Sequence, residues 1–304
     1  MAGRQMTRWL IIGGGAAGCV VASRLSEDPS NHVTLLEAGP DHGPDHAATD
    51  VGLFLDDSDR WHDDSTVVRR PGAVAEHYWQ GRGLGGSSLL NGPVMVPNPN
   101  DAGVTQLLPI ESPLTLGTVG QAVMNAAPDA QSVLLARRDG RRVSAADAYL
   151  RPFLDRQNLL VVGDSTATRL LVVGRSIRGV VTEAGAEHLA DRVVVCAGAI
   201  RTPALLLASG IDTPGVGEGL QDHPALAITL ELAPQAIDPL SPNIVVAIDR
   251  SGTQILATNH LPGAPQYGAL IAALMTPTSV GRVTLDSGSG SPVVELNQLA
   301  TEAD

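Results

Sequence analysis

Three glycines and one acid are the first residues in this chain whose types and spacing could do chemistry. Gly13, Gly15 and Gly18 stand in the run Gly13-Gly14-Gly15-Ala16-Ala17-Gly18, and Glu37 follows nineteen positions after Gly18. Glycine at the first position permits a tight turn, at the second it lets the backbone approach a pyrophosphate, and at the third it lets a helix pack close to a strand. The pyrophosphate would sit on the N–H groups of a helix start at Ala16 and Ala17, where the dipole favours an anion. A carboxylate at Glu37 can accept from both hydroxyls of an adenosine ribose and would repel a 2′-phosphate. The set points to a dinucleotide, FAD or NAD, and away from NADP.

The elements that must position these residues are legible around them. Trp9-Leu10-Ile11-Ile12 and Val33-Thr34-Leu35-Leu36 read as strands, and Ala16 to Leu25 as an amphipathic helix stopped by Ser26-Glu27-Asp28-Pro29. A second glycine-rich segment runs from His77 to Gly92, with five glycines among sixteen residues and Ser87 and Ser88 near its end. Such a segment makes a poor strand or helix, and its backbone N–H groups can face an anion or a flat ring. Helices are expected over Leu116 to Ala127 and Ser144 to Phe153, and strands over 159–162, 167–173, 179–182 and 192–196. Val193-Val194-Val195-Cys196 reads as a strand buried on both faces of a parallel sheet. Thr202-Pro203 reads as the cap of a helix over Ala204 to Ser209. From Asp222 onward, the runs 226–232, 244–248, 269–275 and 282–285 alternate with Pro/Gly/Ser turns, the pattern of an antiparallel sheet. A domain boundary is placed near residue 220.

Composition removes several classes. The 304 residues carry a net charge of −12, and the 20 basic residues are all arginine. Without lysine there is no Walker-type phosphate lysine and no Schiff-base or pyridoxal chemistry. The acidic balance argues against nucleic acid or an anionic membrane surface as partner. Cys19 and Cys196 lack a further ligand at metal spacing and read as small buried hydrophobes. His42, His46 and His62 in the Asp-rich stretch 41–64 match no ligand pattern and read as a solvated loop. Neither a signal peptide nor a transmembrane stretch is visible, so a cytoplasmic protein is expected.

With these blocks in hand, the chain resembles the glucose–methanol–choline (GMC) family of FAD-dependent oxidoreductases. Ile11 to Gly39, ending Leu36-Glu37-Ala38-Gly39-Pro40, is similar to the family's FAD-binding N-terminus, and Gly81 to Asn91 to its first signature. Gly198-Ala199-Ile200-Arg201-Thr202-Pro203, running on to Ile211, is similar to its second signature, and Gly215 to Pro224 to the block that follows. The resemblance implies an α/β fold: a Rossmann-like FAD-binding domain over 1–220 and a second domain on an antiparallel sheet over 221–304. It implies cofactor contacts from Gly13, Gly15, Ala16, Ala17, Gly18, Glu37, Ala38, Arg82, Gly85, Gly86, Ser87, Asn91, Gly92, Ala167, Ala197 and Gly198. Departures stand beside it. The stretch 91–140 is short for the family, Asp212 and Gly219 replace a usual glycine and asparagine, and the catalytic histidine is expected beyond Asp304.

The chemistry the resemblance implies is oxidation of a CH–OH group in a small alcohol. A base takes the hydroxyl proton while hydride passes to the flavin N5, and a base of near-neutral pKa is usually histidine. No residue matches the family's base. His223 is the one candidate inside a matched block, and it reads as a structural residue at the domain junction. His260 reads as a loop residue. Ser87 and Ser88 lack the G-x-S-x-G elbow of a hydrolase nucleophile. The rival readings are a truncated member that binds FAD weakly without turnover, a non-catalytic flavin-binding module, and an NAD-dependent dehydrogenase, in which the Gly81 to Asn91 loop has no role. Some short bacterial members act beside the redox peptide cofactor mycofactocin, and an arginine-only, alanine-rich composition suits such a source. Neither the alcohol nor the electron acceptor is readable.

Overall fold

A computed structural model describes residues 6–44, 66–95, 108–112, 115–238, 244–261 and 264–304. Its centre is a four-stranded parallel sheet. β1 (Thr7–Ile12) and β2 (Asn31–Leu36) lie side by side, with Leu159–Val162 outside β2 and Arg192–Val195 outside β1. The helix α1 (Ala16–Leu25) joins β1 to β2. Side chains alternate across a strand, so β1 serves two layers. Ile11, with Val33 and Leu35, packs against Cys19 and Ala22 of α1 and against Ala146 and Leu150. Leu10, Ile12 and Leu36 face the other way, onto Leu170, Val180 and Leu205. Those last residues come from a three-stranded antiparallel meander (Ala167–Val173, Ser176–Thr182, Glu187–Leu189) and from the Gly198–Ala208 helix. The architecture is a mixed α/β fold with a Rossmann-like layer, as the residues lead one to expect.

Three further sheets lie among the described residues, one of them small, with Val94–Met95, Ile110–Glu111 and Arg141–Arg142 paired to Leu134–Arg138. Of the two larger ones, one is antiparallel, in the order Ala225–Glu231, Tyr267–Leu274, Thr253–Thr258, Ile244–Arg250, Gln131–Ser132. The Gly117–Ala126 helix covers part of it, Val123 and Met124 meeting Val246, Ala257 and Leu270. The other joins Glu218–Leu220, Gly281–Leu285, Pro292–Glu295, Thr66–Val68 and Glu76–His77 around Val67, Val283 and Val294.

Four expectations about elements need correction. The strand expected over 282–285 is not in the sheet of 225–274. Gly281–Leu285 pairs with Pro292–Glu295, and a Cβ on Gly281 would lie 1.9 Å from the Glu295 carbonyl oxygen. The helix of the second signature begins at Gly198, and Pro203 sits inside it rather than at its start. Ser144 to Phe153 is a π-helical turn, Ala146–Leu150, followed by a 3-10 turn, Arg151–Phe153, because Pro152 has no N–H to continue an α-helix. Val193, Val194 and Val195 are half-buried, on the outer strand of the four.

Candidate functional site

The first motif folds as a turn held from three sides. Gly13 donates to the Leu36 carbonyl and Cys196 to that of Ile12, at 2.8 and 2.7 Å, locking the turn to the ends of β2 and of Arg192–Val195. Gly13 has φ +102°, and a Cβ there would come within 2.5 Å of the Cys196 oxygen. A Cβ on Gly18 would meet the Gly13 oxygen at 1.8 Å, so Gly18 serves the close packing of α1 on the turn.

The second glycine segment closes directly onto the first. Gly85 donates to the Gly14 carbonyl at 2.8 Å, and Leu84 to that of Pro40 at 3.0 Å. Gly86 opens a 3-10 turn, Gly86–Leu89, with φ +56°, and a Cβ on it would lie 2.7 Å from the Cα of Gly15. The loop is fixed from behind as well. Ser88 Oγ donates to the Gly85 carbonyl at 2.6 Å and accepts from Ala145 N at 2.9 Å. Arg142 Nη1 donates to Ser88 O and Asn91 Oδ1 at 3.2 and 3.3 Å, and Ser87 Oγ accepts from Gly81 N at 3.1 Å.

Glu37 joins the two motifs. Its carboxylate is buried and accepts three backbone N–H groups: Oε2 from Gly14 at 2.7 Å, Oε1 from Gly39 at 2.9 Å and from Gly83 at 3.1 Å. Burial pushes this carboxyl upward, while the three donors and the Arg82 charge hold it down. A carboxylate offers about four lone-pair positions, so a single position on Oε2 is left for a further donor. The sequence reading has this carboxylate accept from both hydroxyls of a ribose and does not foresee that it staples two loops.

These elements line an open cavity of about 980 Å³. Of the residues expected to touch a cofactor, Gly13, Gly15, Ala16, Ala17, Glu37, Ala38, Gly86, Ser87, Asn91, Ala167, Ala197 and Gly198 line it. Gly18, Arg82, Gly85 and Gly92 do not line it. His223 is exposed in the connection between Glu218–Leu220 and Ala225–Glu231 and does not line the cavity; nor does His260. Unforeseen lining comes from Gln80, Thr168, Glu183, Arg201 and the turn at 289–292. Arg201 was readable, since it lies within the second signature; the 289–292 turn, brought from a different sheet, was not.

Among the described residues no group of three His, Cys, Asp or Glu could hold a metal, and no helix is long and apolar enough to cross a membrane. His46 and His62 lie outside the described residues. Cys19 is buried, its thiol donating to the Gly14 carbonyl at 3.1 Å, and burial lifts its pKa to about 12. That leaves it inert as a nucleophile.

The geometry suits a ligand that must approach backbone closely. A Cβ on Gly198 would project into open space with nothing within 4 Å, and one on Gly15 would meet Gly86 Cα alone, at 3.9 Å. Both glycines line the cavity, where bare backbone leaves room for a close approach. Strand, glycine turn, helix, strand and buried acid around such a cradle define a dinucleotide-binding α/β protein.

Comparison with known proteins narrows the class. Residues 116–225 match the GMC oxidoreductase family, and residues 11–57 match the NAD(P)-binding Rossmann-like domain. A GMC-type oxidoreductase of Rhodococcus erythropolis is 30% identical over 384 aligned positions, covering 97% of this chain and 76% of that protein. The oxygen-dependent choline dehydrogenase of Burkholderia ambifaria is 28% identical over 83% of this chain and 59% of its own length. Pyridoxine 4-oxidase from Mesorbium loti superposes with a TM-score of 0.79 at 24% identity, over 98% of this chain and 77% of that one. A formate oxidase superposes with 0.79 at 19% identity, over 99% and 79%. The chain belongs to the GMC oxidoreductases, a family of FAD-dependent enzymes.

Proposed function

We propose that this chain binds FAD in the cavity between its two glycine motifs and serves the oxidation of a CH–OH group in a small alcohol. The observation that carries the reading is the convergence of the Gly13–Ala17 turn, Glu37, the Gly86–Asn91 segment and Gly198 on one cavity. When bound, the flavin supplies the hydride-accepting chemistry; the protein supplies position and electrostatics. The start of α1 presents N–H groups and a favourable dipole to a pyrophosphate. The free position on Glu37 Oε2 accepts one ribose hydroxyl. Ser88 and Asn91, held by Arg142 and Ala145, and Ser87, held by Gly81 N, keep the second loop rigid against the ring portion of the cofactor. In this reading residues 1–220 form the FAD-binding domain, and 221–304 contribute part of the substrate side. Support for an alcohol substrate comes from the choline dehydrogenase relative. The proton-accepting base is not assigned to any described residue.

The test is cofactor titration of the purified full chain. FAD is expected to bind and give the flavin band near about 450 nm, with NAD binding weakly or not at all. Tight binding of NAD without FAD would replace this reading by an NAD-dependent dehydrogenase, which the match over 11–57 would then support.

A further inference from the structure

One charged side chain on the cavity wall is not explained by the glycine motifs. Arg201 lies in the Gly198–Ala208 helix and, with Ala204, Leu205 and Ala208, lines the cavity. Positions three, four and seven residues on from Arg201 share its helix face, so the helix turns that whole face, Arg201 included, toward the space. Among the described lining residues, Glu37 and Glu183 are the acids and Arg201 is the only base. Glu37 is already taken up by the N–H groups of Gly14, Gly39 and Gly83. An anionic ligand entering this cavity therefore meets two carboxylates and one cation. Backbone dipoles at one helix start offset only part of that repulsion. Burial has drawn the guanidinium down to about 10, which still leaves it charged at neutral pH. Nε and Nη2 of this guanidinium are buried, so it is through Nη1 that its planar donors would meet phosphate oxygens.

We infer that Arg201 is a cofactor-binding residue that recognises the pyrophosphate of the dinucleotide, supplementing the backbone N–H groups of the Gly13–Ala17 turn. The inference rests on the FAD reading above. It separates Arg201 from its neighbours in the second signature: Ile200 packs into a core and Gly198 carries no side chain, whereas Arg201 supplies charge.

Calorimetry with ADP and with adenosine, on the full chain, isolates this role. The wild-type chain is expected to prefer ADP, with an affinity that weakens as salt rises. Arg201→Met is expected to lose on the order of ten- to hundredfold in ADP affinity, leave adenosine unchanged and flatten the salt dependence. Arg201→Lys should fall between them. If Arg201→Met lowers thermal stability so far that it cannot be titrated, Arg201→Lys and Arg201→Gln provide the same comparison. An unchanged ADP-to-adenosine ratio in the variants, with wild type binding both, overturns the assignment of Arg201 alone. Failure of the wild-type chain to bind either compound overturns the dinucleotide reading itself, and this inference with it.

Discussion

Gly86 points its missing side chain at the Cα of Gly15, 2.7 Å from where a Cβ would stand, while the reverse approach, from Gly15 toward Gly86, has 3.9 Å. The contact is therefore asymmetric. The two glycines touch each other, and both line the cavity. Gly86 also holds φ +56°, which an L side chain adopts at a cost of about 1–2 kcal/mol. Gly86→Ala should destabilise the chain by about 1–3 kcal/mol, strain and contact together, and push the two loops apart. Gly15→Ala should change stability by less than about 0.5 kcal/mol and act on cofactor affinity instead, because Gly15 lines the cavity and its Cβ would meet Gly86 Cα only at 3.9 Å. Thermal unfolding of the cofactor-free variants separates the two. Equal losses would show that the asymmetry has no energetic weight.

Glu37→Gln tests the staple. An amide in that place turns a donor toward backbone N–H groups that need an acceptor, and leaves at least one buried donor unsatisfied at a cost of about 1–3 kcal/mol. The loss is expected in urea unfolding of the chain without any cofactor. A role confined to the ribose would leave that midpoint untouched, and this is the outcome that would sink the staple.

Tyr78 ties the second glycine segment to the block around Asp222. Burial, together with the Asp222 charge and a hydrogen bond to it, raises the Tyr78 phenol to about 12. The unfolded phenol titrates near about 10, so the folded state holds this proton more tightly. The stability from Tyr78 is fully present below about pH 10 and is lost as pH rises from there through about 12. Stability curves of wild type and Tyr78→Phe should converge over that window. Parallel curves would refute the assignment.

At the acid end the exposed pair Arg8–Asp191 gives a complementary test. Asp191 accepts from Arg8 Nη2 at 2.9 Å and from its backbone N at 2.9 Å, and these bonds hold its carboxyl down at about 2. A depressed carboxyl contributes stability that is present above the unfolded value, near about 4, and lost as pH falls through the folded one. Carboxyl chemical shifts should show Asp191 ionised at pH 3, and Asp191→Asn should remove its share of the acid-limb slope. Because the pair is exposed, added salt should shrink the effect.

The contiguous part of this protein was legible in its sequence. β1, the Gly13–Gly18 turn, α1 and β2 lie within some thirty residues, and their apolar spacing, glycine demands and terminal acid are all local properties of the chain. Steric need at Gly13 and Gly18 follows from residue type and order, and no long-range information is required to see it. The antiparallel texture after residue 222 was legible in the same way, through periodicity, but the partition of those strands into two sheets was not. Nothing within Gly281–Leu285 states that Pro292–Glu295 and Thr66–Val68 continue its sheet. The tertiary structure also decided how the acid is used. Which lone pairs of Glu37 are filled depends on Gly83, 46 positions away, and that residue reaches Oε1 because Gly85 docks on Gly14 of the first turn and Leu84 on Pro40 after β2. Arg201 could be read as a helix residue beside a motif, but its place on the cavity wall depends on how the Gly198–Ala208 helix is turned on the parallel sheet. Turn geometry and periodicity are short-range and survive in sequence; the partner of a buried polar atom is set by convergence of distant backbone, which only the folded chain supplies.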